Sequence, residues 1–399
     1  MGVMDGIKVV EVAEQGFVPS AAAILADWGA EVVKVERPTG DPLRGFMRAG
    51  FVADTGDFNF LFEQFNRNKR GIAIDLRTDD GRAVLDRLLA AADVFITNFL
   101  PSAREKLRLR PDDVWAINPR IVYAKGHGQG QRGPDADLGG FDAVSYWSRG
   151  GIGHMLTPAD GPFVMQRGAM GDAPSGAFLA GGIAAALFQR ERTGKGSVVD
   201  VALLNSACWT LAVDLVPTSI IGHDPAKGPF KPLSSPLVGP YLTADRRWIV
   251  LNMLDPDRHW APCCRALGLD DYIEHEDYAT TALRARHNVA IWEVFRDRIA
   301  TLPFDAAIAG LRGHDTIFSA LATPMEVLAD PQVNENGYLP RHPEHPDARL
   351  AAGPVQFDDE QTRFRRRAPR IGEHTDDVLT EAGLGRAEID ALRDRGAIV

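Results

Sequence analysis

The chain has 399 residues, of which 45% are hydrophobic and 25% charged, and its formal net charge is -10. This length exceeds what one hydrophobic core usually supports, so we expect a large domain with a smaller companion. The acidic balance disfavours nucleic acid as a partner. The most apolar later stretch, residues 177–188, is too short to span a membrane.

The number of cysteines and the first residues of the chain indicate the cellular compartment in which the protein works. The three cysteines provide neither a disulfide framework nor a paired C-x-x-C metal signature. The first residues, MGVMDGIKVVEV, run into a strand pattern without the basic and apolar regions of a secretion signal. We therefore expect a cytoplasmic protein with no metal and no membrane association.

Short apolar runs alternate with helical patterns through the first 200 residues. Strands are predicted at residues 7–12, 31–35, 72–76, 94–97, 121–124 and 198–201. Helices are predicted between them, at residues 20–28, 81–91, 102–107 and 173–192. This alternation predicts a mostly parallel, doubly wound sheet of the Rossmann-like α/β class.

Two loops of this sheet bear on function. The first strand-to-helix turn reads AEQGFVPS and lacks the G-x-G-x-x-G pattern, which disfavours a nicotinamide or flavin enzyme. The loop at residues 128–140 is rich in Gly, Asp and Pro and leaves the sheet at the carboxyl end of a strand. Sites of α/β proteins usually lie at that edge, so this loop is the first candidate for a functional segment.

The pattern changes after about residue 225. Residues 229–254 predict a hairpin, and helical stretches follow at residues 257–267, 285–302 and 303–311. After residue 350 a strand signal at residues 354–357 precedes two short helices. We predict a large Rossmann-like domain from residues 1–220 and 335–399, and a small α+β domain from residues 225–331.

Asp172 stands where a glycine turn meets a predicted helix, in the segment GDAPSG. The commoner interpretation is an N-cap, whose side-chain oxygen accepts a backbone N–H one turn into the helix. The alternative is a nucleophile, kept ionised because the helix N-terminus lowers its pKa, with flanking glycines that admit a bulky thioester. Judged from the residue types and their positions alone, the N-cap is favoured over the nucleophile, because Asp is common at helix N-caps.

Six ordered stretches, among them NRNKRGIAIDLRTDDGR and MGDAPSGAFLAGGIAAALFQRERTGKGSVVDVALL, resemble the class III CoA-transferases of the CaiB/BaiF family. The resemblance runs nearly from end to end. It implies an interlocked homodimer and a nucleophilic Asp in the Gly-Asp-x-x-x-Gly segment, which falls on Asp172. The implied activity moves coenzyme A from an acyl-CoA to a carboxylic acid through mixed anhydrides and an aspartyl-CoA thioester. Acyl-CoA and free acid are then substrates, and no tightly bound cofactor is expected.

The resemblance also implies roles for other residues. Those expected to hold CoA are Arg37, Asn98 and Phe99 at its nucleotide end, and Lys106, Lys125, Lys69 and Arg70 at its phosphates. Near the nucleophile it implies Phe141 and Asp142, and at the first turn Gln15 and Gly16. Formyl-CoA transferases carry an active-site Gln where this chain has Gly16, which puts specificity for oxalate in question. Each residue has an alternative role as a loop former, cap or solvated charge.

Pocket residues are expected from two segments, residues 141–147 with Tyr146 and Trp147, and residues 234–241. Aromatic side chains there would suit an acid larger than oxalate. Two other functions stay open, a non-catalytic CoA-binding protein and an α-methylacyl-CoA racemase. The related racemases use a His in a Gly-His-Asp segment, where this chain has Gly140, Phe141 and Asp142, and a Phe ring transfers no proton. His127 is the candidate substitute.

Overall fold

The computed structural model describes residues 2–46, 53–225, 235–362 and 364–399. The chain divides into two compact units. Unit 1 comprises Met1–Pro225 and Pro331–Val399, and unit 2 comprises Ala226–Asp330.

Unit 1 contains a sheet of six strands. They are β1 (Lys8–Val12), β2 (Glu31–Glu36), β3 (Arg70–Ala73), β4 (Val94–Thr97), β5 (Val122–His127) and β6 (Val198–Ala202). Their order is β3-β2-β1-β4-β5-β6, and all neighbouring pairs are parallel. The predicted parallel sheet is confirmed. This is the doubly wound order, in which the winding direction reverses between β1 and β4 and leaves a crevice at their carboxyl ends.

The helices follow the strands along the chain. Before the small unit they are α1 (Phe17–Asp27), α2 (Phe60–Asn66), α3 (Asp79–Ala90), α4 (Pro101–Lys106), α5 (Pro111–Trp115), α6 (Ile152–Leu156), α7 (Asp172–Thr193), α8 (Leu203–Thr210) and α9 (Ala212–Ile221). In unit 2 they are α10 (Pro256–Leu267), α11 (Thr281–Arg286), α12 (Asn288–Ala300), α13 (Phe304–Arg312) and α14 (Pro324–Ala329). The last three are α15 (Pro331–Glu335), α16 (Thr375–Glu381) and α17 (Arg386–Asp394). A π-helix at Ala143–Ser148 precedes α6.

Both faces of the large sheet are buried along β1 to β5, which explains why these strands read as apolar runs rather than alternating patterns, whereas the edge strand β6 is partly exposed. On one face, Val9 and Ile96 share a core with residues of α1 and α7. On the other face, Val10 and Phe95 share a core with residues of α3, α16 and α17. The end of the chain returns to β3, where the amide of Val399 donates to the carbonyl of Ala73 at 3.1 Å.

Unit 2 contains the antiparallel strands β7 (Val238–Leu242), β8 (Trp248–Asn252) and β9 (Phe318–Ala320), in that order. Its core includes Tyr241, Trp260 and Phe295. The helix predicted over residues 285–302 is interrupted at His287, between α11 and α12.

The prediction of a strand at residues 354–357 is wrong, because this segment pairs with no strand in the described structure. Its apolar signal has another cause. The ring of Phe357 packs edge-on against Trp28, with 5.5 Å between the ring centroids. In the described residues no single helix has the length and hydropathy to cross a membrane, although α8 and α9, bent by 75°, reach that length together.

Candidate active site

Asp172 is the first residue of α7, and the N-cap position belongs to Gly171. The side chain of Asp172 makes no capping hydrogen bond, so the interpretation of this residue as the N-cap is wrong. Within the described residues its carboxylate has no hydrogen-bond donor, although the residue is partly buried. The fold leaves an acidic side chain without a structural partner at the start of a long helix.

The start of α1 lies directly beside this carboxylate. A Cβ added to Gly16 would lie 2.7 Å from Oδ2 of Asp172, so only glycine at this position leaves the carboxylate its present place. Further along, α1 and α7 pack closely, because a Cβ at Gly176 would lie 1.8 Å from Oγ of Ser20. Two helix N-termini therefore meet around Asp172.

Backbone amides are available at this meeting point. No side chain caps α1, and the N–H groups of Gly16, Phe17 and Val18 have no acceptor within the described parts of the chain. The N–H of Asp172 likewise has none there. Unpaired amides at helix N-termini attract anions, including the oxyanions that develop during acyl transfer.

Burial, and to a smaller extent the nearby Asp142 carboxylate, together raise the pKa of the Asp172 carboxyl to about 7. Asp142 is itself buried, and its two oxygens lie 3.0 and 3.1 Å from the amide nitrogen of Gly171, which donates to them. The expected lowering of the pKa of Asp172 is wrong in direction, because desolvation and a like charge outweigh the helix N-termini. Near pH 7 a substantial fraction of the carboxyl is ionised.

Several predicted residues meet at the carboxyl ends of β1, β2 and β4. The side-chain amide of Asn98 donates to the carbonyl of Glu14 at 2.6 Å and accepts from its N–H at 3.1 Å. Arg37 is half-exposed, donates to the carbonyl of Gly40, and lies 3.4 Å from the carboxylate of Glu14. Phe99 is partly buried against the core. Asn98 thus holds the crevice edge together, while Arg37 has guanidinium surface facing solvent.

The predicted phosphate ligands are dispersed. Lys125 is buried within β5 and donates to Gln131, and burial lowers its pKa. Lys106 is exposed at the end of α4. Neither residue makes a contact with Asp172.

Lys69 and Arg70 do not fit the expectation that they hold phosphates. Lys69 is fully buried, and its ammonium lies 2.6 Å from the carboxylate of Glu11 and donates to the carbonyl of Pro19. Burial lowers the pKa of Lys69 to about 8. Arg70 begins β3, away from the carboxyl edge, and pairs with Glu381 at 2.7 Å. One ammonium is enclosed in the fold and one guanidinium lies at the amino ends of the strands.

The aromatic residues expected to line a pocket are mostly structural. Tyr146 and Trp147 are buried in the core, where the hydroxyl of Tyr146 donates to Thr210 and the indole of Trp147 donates to the carbonyl of Val164. Helix α8 packs on the π-helix that carries this pair, and Tyr146 lies against Gly171, because a Cβ added to that glycine would lie 2.3 Å from Cγ of Tyr146. Their place in a pocket stays a prediction. Phe141 differs, since 65% of it is exposed.

The second expected pocket segment, residues 234–241, lies in unit 2. Tyr241 is buried in the core of that unit, and its hydroxyl donates to the carbonyl of Pro236 at 2.5 Å. Ser234 lies outside the described residues.

His127 has both ring nitrogens occupied. Its Nδ1 accepts from the N–H of Gly130 at 3.0 Å, so the proton is on Nε2, which lies 2.6 Å from the Asp200 carboxylate. A ring held in this way offers no free nitrogen to remove a substrate proton. The geometry therefore gives no support to His127 as the base of a racemase.

The sequence interpretation missed a group of buried charges next to the first turn, formed by Glu11, Lys34 and Asp41. The ammonium of Lys34 lies 3.1 Å from Glu11 and 3.0 Å from Asp41. A signal was present, because Glu11 and Lys34 interrupt two otherwise apolar strands. Charges are rarely buried unless they are paired, so their positions already indicated an internal ion pair.

The fold and this geometry define an α/β protein with a carboxylate-centred site at the carboxyl edge of a doubly wound sheet. The chain belongs to CoA-transferase family III, whose sequence profile matches residues 4–375, and it is a CoA-transferase. The resemblance stated from the motifs is confirmed.

Named relatives span almost the whole chain. It is 28% identical to (R)-2-hydroxy-4-methylpentanoate CoA-transferase of Clostridioides difficile, over 98% of both chains. It is 30% identical to cinnamoyl-CoA:phenyllactate CoA-transferase of Clostridium sporogenes, over 99% of this chain and 97% of the relative. The crystal structure of a CaiB/BaiF family protein from Brucella suis superposes with a TM-score of 0.81 at 28% identity, covering 96% of this chain and 99% of that one.

Proposed function

We propose that the enzyme transfers CoA from an acyl-CoA to a carboxylic acid by covalent catalysis on Asp172. The observation that carries this proposal is the carboxylate itself, which has no donor in the described structure and lies beside the unpaired amides that begin α1. A carboxylate without structural partners is available to attack, and its neighbours can stabilise the charge that the attack creates.

The proposed cycle has two halves. In the first, an oxygen of Asp172 attacks the thioester carbonyl, the C–S bond breaks, and a mixed anhydride forms with release of CoA thiolate. The thiolate then attacks the aspartyl carbonyl and expels the donor acid, which leaves an aspartyl-CoA thioester. In the second half, the acceptor carboxylate attacks this thioester and releases the thiolate. The thiolate then attacks the acceptor's carbonyl in the new anhydride and frees Asp172.

Each step passes through a tetrahedral oxyanion on a carbonyl carbon. The amides of Gly16, Phe17 and Val18 are the donors that we assign to these oxyanions. Since Gly16 has no side chain, the carboxylate of Asp172 can lie against the first amides of α1.

For the nucleotide end of CoA we propose the crevice edge with Arg37, Asn98 and Phe99, and for the phosphates Lys106 and Lys125. Arg37 supports this assignment best, because its guanidinium is half-exposed at the carboxyl end of β2. Asn98 acts by fixing the edge, since its amide already bonds the backbone of Glu14.

For the acids we propose monocarboxylates with an apolar side chain, larger than oxalate. The exposed ring of Phe141, next to the buried Asp142, supports this polarity. The two relatives named above act on a branched 2-hydroxy acid and on aryl-substituted acids, which points in the same direction.

Replacement of the nucleophile tests the proposal. Asp172→Ala and Asp172→Asn are expected to lower kcat for CoA exchange by about a thousandfold or more, because no covalent intermediate can form. Asp160→Ala, which removes an exposed carboxylate, serves as the matched control and should turn over normally. Circular dichroism would establish that all three variants fold. Normal turnover by a folded Asp172→Ala protein would end the proposal.

A further inference from the structure

The turn between β1 and α1 contains a strained residue. Gln15 has a φ of +69°, in the left-handed region that side chains other than those of Asn, Asp and Gly rarely adopt. It directly precedes Gly16, whose Cα lies beside the Asp172 carboxylate. The conformation of Gln15 therefore sets the direction in which the first amides of α1 point.

Side chains from three other segments hold this turn by its backbone. The ammonium of Lys34 donates to the carbonyl of Ala13 at 2.9 Å, and Asn98 bonds both backbone groups of Glu14. The N–H of Gln15 donates to Oδ1 of Asp41 at 3.1 Å. Residues 13–15 are thus clamped one after another, which is how a strained conformation is kept.

Asp41 is in turn fixed from several directions. Its Oδ1 also accepts from the N–H of Leu43 at 2.9 Å, and its Oδ2 lies 3.0 Å from the ammonium of Lys34. Its own N–H donates to the carboxylate of Glu36 at 2.8 Å. The side chains of Asp41 and Lys34 are both fully buried, so neither can rotate into solvent.

The surrounding charges are balanced. Glu11 and Asp41 face Lys34 and Lys69, and all four residues are buried. Burial alone would lower the pKa of Lys34, but Glu11 and Asp41 outweigh it and raise the pKa of that ammonium above its usual range. Lys34 therefore keeps its positive charge beside Asp41.

We propose that Asp41, locked by Lys34, is a positioning residue of the transferase, which holds Gln15 in its left-handed conformation so that the free amides of α1 face Asp172. Asp41 makes no contact with Asp172 and acts through the Gln15 peptide. This inference rests on the proposed function, since it assigns the clamp to the donors that stabilise the oxyanions.

The main variant is Asp41→Ala, which removes the acceptor of the Gln15 N–H. Without it, Gln15 can relax toward negative φ and turn the amides away. We expect kcat to fall about tenfold to a hundredfold, with KM for the acyl-CoA changed less than about threefold, because substrate binding does not depend on the oxyanion donors. Asp41→Asn keeps an oxygen acceptor and should lose less, which keeps the proposal testable if Asp41→Ala does not fold.

A second substitution separates positioning from stability. Glycine adopts positive φ without strain, so adding Gln15→Gly to Asp41→Ala should restore at least about a third of the lost kcat. The same glycine makes the unfolded chain more flexible, so the Tm of the double variant should not recover. If Asp41 only stabilises the fold, kcat and Tm would stay low together.

The matched control is Asp27→Ala. Asp27 is an equally buried acid, paired with Arg67 at 2.6 Å, but it lies at the far end of α1. Its loss should lower Tm comparably and leave kcat near the wild-type value. If Asp27→Ala and Asp41→Ala lower kcat equally, or if Asp41→Ala retains full kcat, the positioning role is refuted. Covalent labelling of Asp172 in the wild-type protein distinguishes the positioning role of Asp41 from the proposed function. If no label forms on Asp172, the proposed function is refuted, whatever the Asp41 variants show.

Discussion

At the scale of single residues, opposing effects act on Asp172. Two helix N-termini favour the carboxylate anion, whereas burial and Asp142 favour the neutral acid. The pKa of about 7 shows that burial dominates. A carboxylate with this pKa is a better nucleophile than an ordinary exposed one and remains substantially ionised at neutral pH.

This pKa predicts a pH dependence. The proposed nucleophile must be ionised to attack, so kcat/KM should rise with pH, reach half its maximum near pH 7 and level off above. Asp142→Asn removes the neighbouring negative charge and should move the midpoint to lower pH. Asp142 also accepts a hydrogen bond from the N–H of Gly171, and any loss caused by weakening that bond should lower the plateau of kcat/KM without moving the midpoint. Initial rates from pH 5 to pH 9 would measure both midpoints. A wild-type profile that is already flat at pH 5, or a midpoint unmoved by Asp142→Asn, would contradict this account.

The sequence places Asp172 and Gly16 among the candidate site residues, because the family motif and the first turn carry them, and the structure brings the two together. The sequence could not predict the direction of the pKa shift at Asp172. That shift comes first from burial and then from Asp142, which lies 30 positions earlier and reaches the turn only through the fold. The expectation that Lys69 holds a phosphate does not fit the structure for a similar reason. The motif places this lysine in a polar loop, but the fold encloses its ammonium between Glu11 and α1.

At the scale of elements, the site depends on the contact between α1 and α7. Gly176 lets the two helices approach, because any side chain there meets Ser20 and the backbone carbonyl of Phe17. The sequence predicted both helices from their composition and glycine stops. It did not predict that they pack with their N-termini together, because their pairing is a long-range contact.

This contact predicts a sharp difference between two glycines of α7. Gly176→Ala should lower the Tm and reduce kcat, because the added Cβ forces α1 and α7 apart near the first turn of α1. Gly181→Ala should keep kcat and hold or raise the Tm, since nothing lies within 4 Å of a Cβ there and alanine favours helix by about 1 kcal/mol. Calorimetry and steady-state rates would compare them. Equal behaviour of the two variants would contradict the close packing.

At the scale of the whole molecule, the parallel sheet was predictable from the alternating apolar runs, whereas the homodimer is expected only from the family resemblance. Strand β4 spans the residues predicted for it, 94–97, because a short apolar run between two turn signals leaves little choice of where the strand begins and ends. Helix α9 is different. None of its residues is buried, and the exposed fractions of Val213 and Ile220 are 82% and 79%. A helix this apolar and this exposed is typical of a surface that another chain covers.

We expect this face to be buried in a homodimer of the chain. Light scattering should give twice the mass of 43.4 kDa for the wild-type protein. Val213→Asp with Ile220→Asp should reduce that mass or cause precipitation, because two charges would have to be buried. Val289→Asp, at an exposed apolar residue of unit 2, is the control and should keep the dimer. A wild-type protein that stays monomeric at micromolar concentration would contradict the assembly.

The most direct measurement is mass spectrometry of the protein after incubation with acyl-CoA donors and hydroxylamine. Hydroxylamine attacks an activated aspartyl carbonyl, so a hydroxamate should form at Asp172, at no other carboxylate, and only with a competent donor. Donors with apolar side chains should label fastest. Turnover of the same donor without any label on the peptide that contains Asp172 would contradict covalent catalysis at this residue.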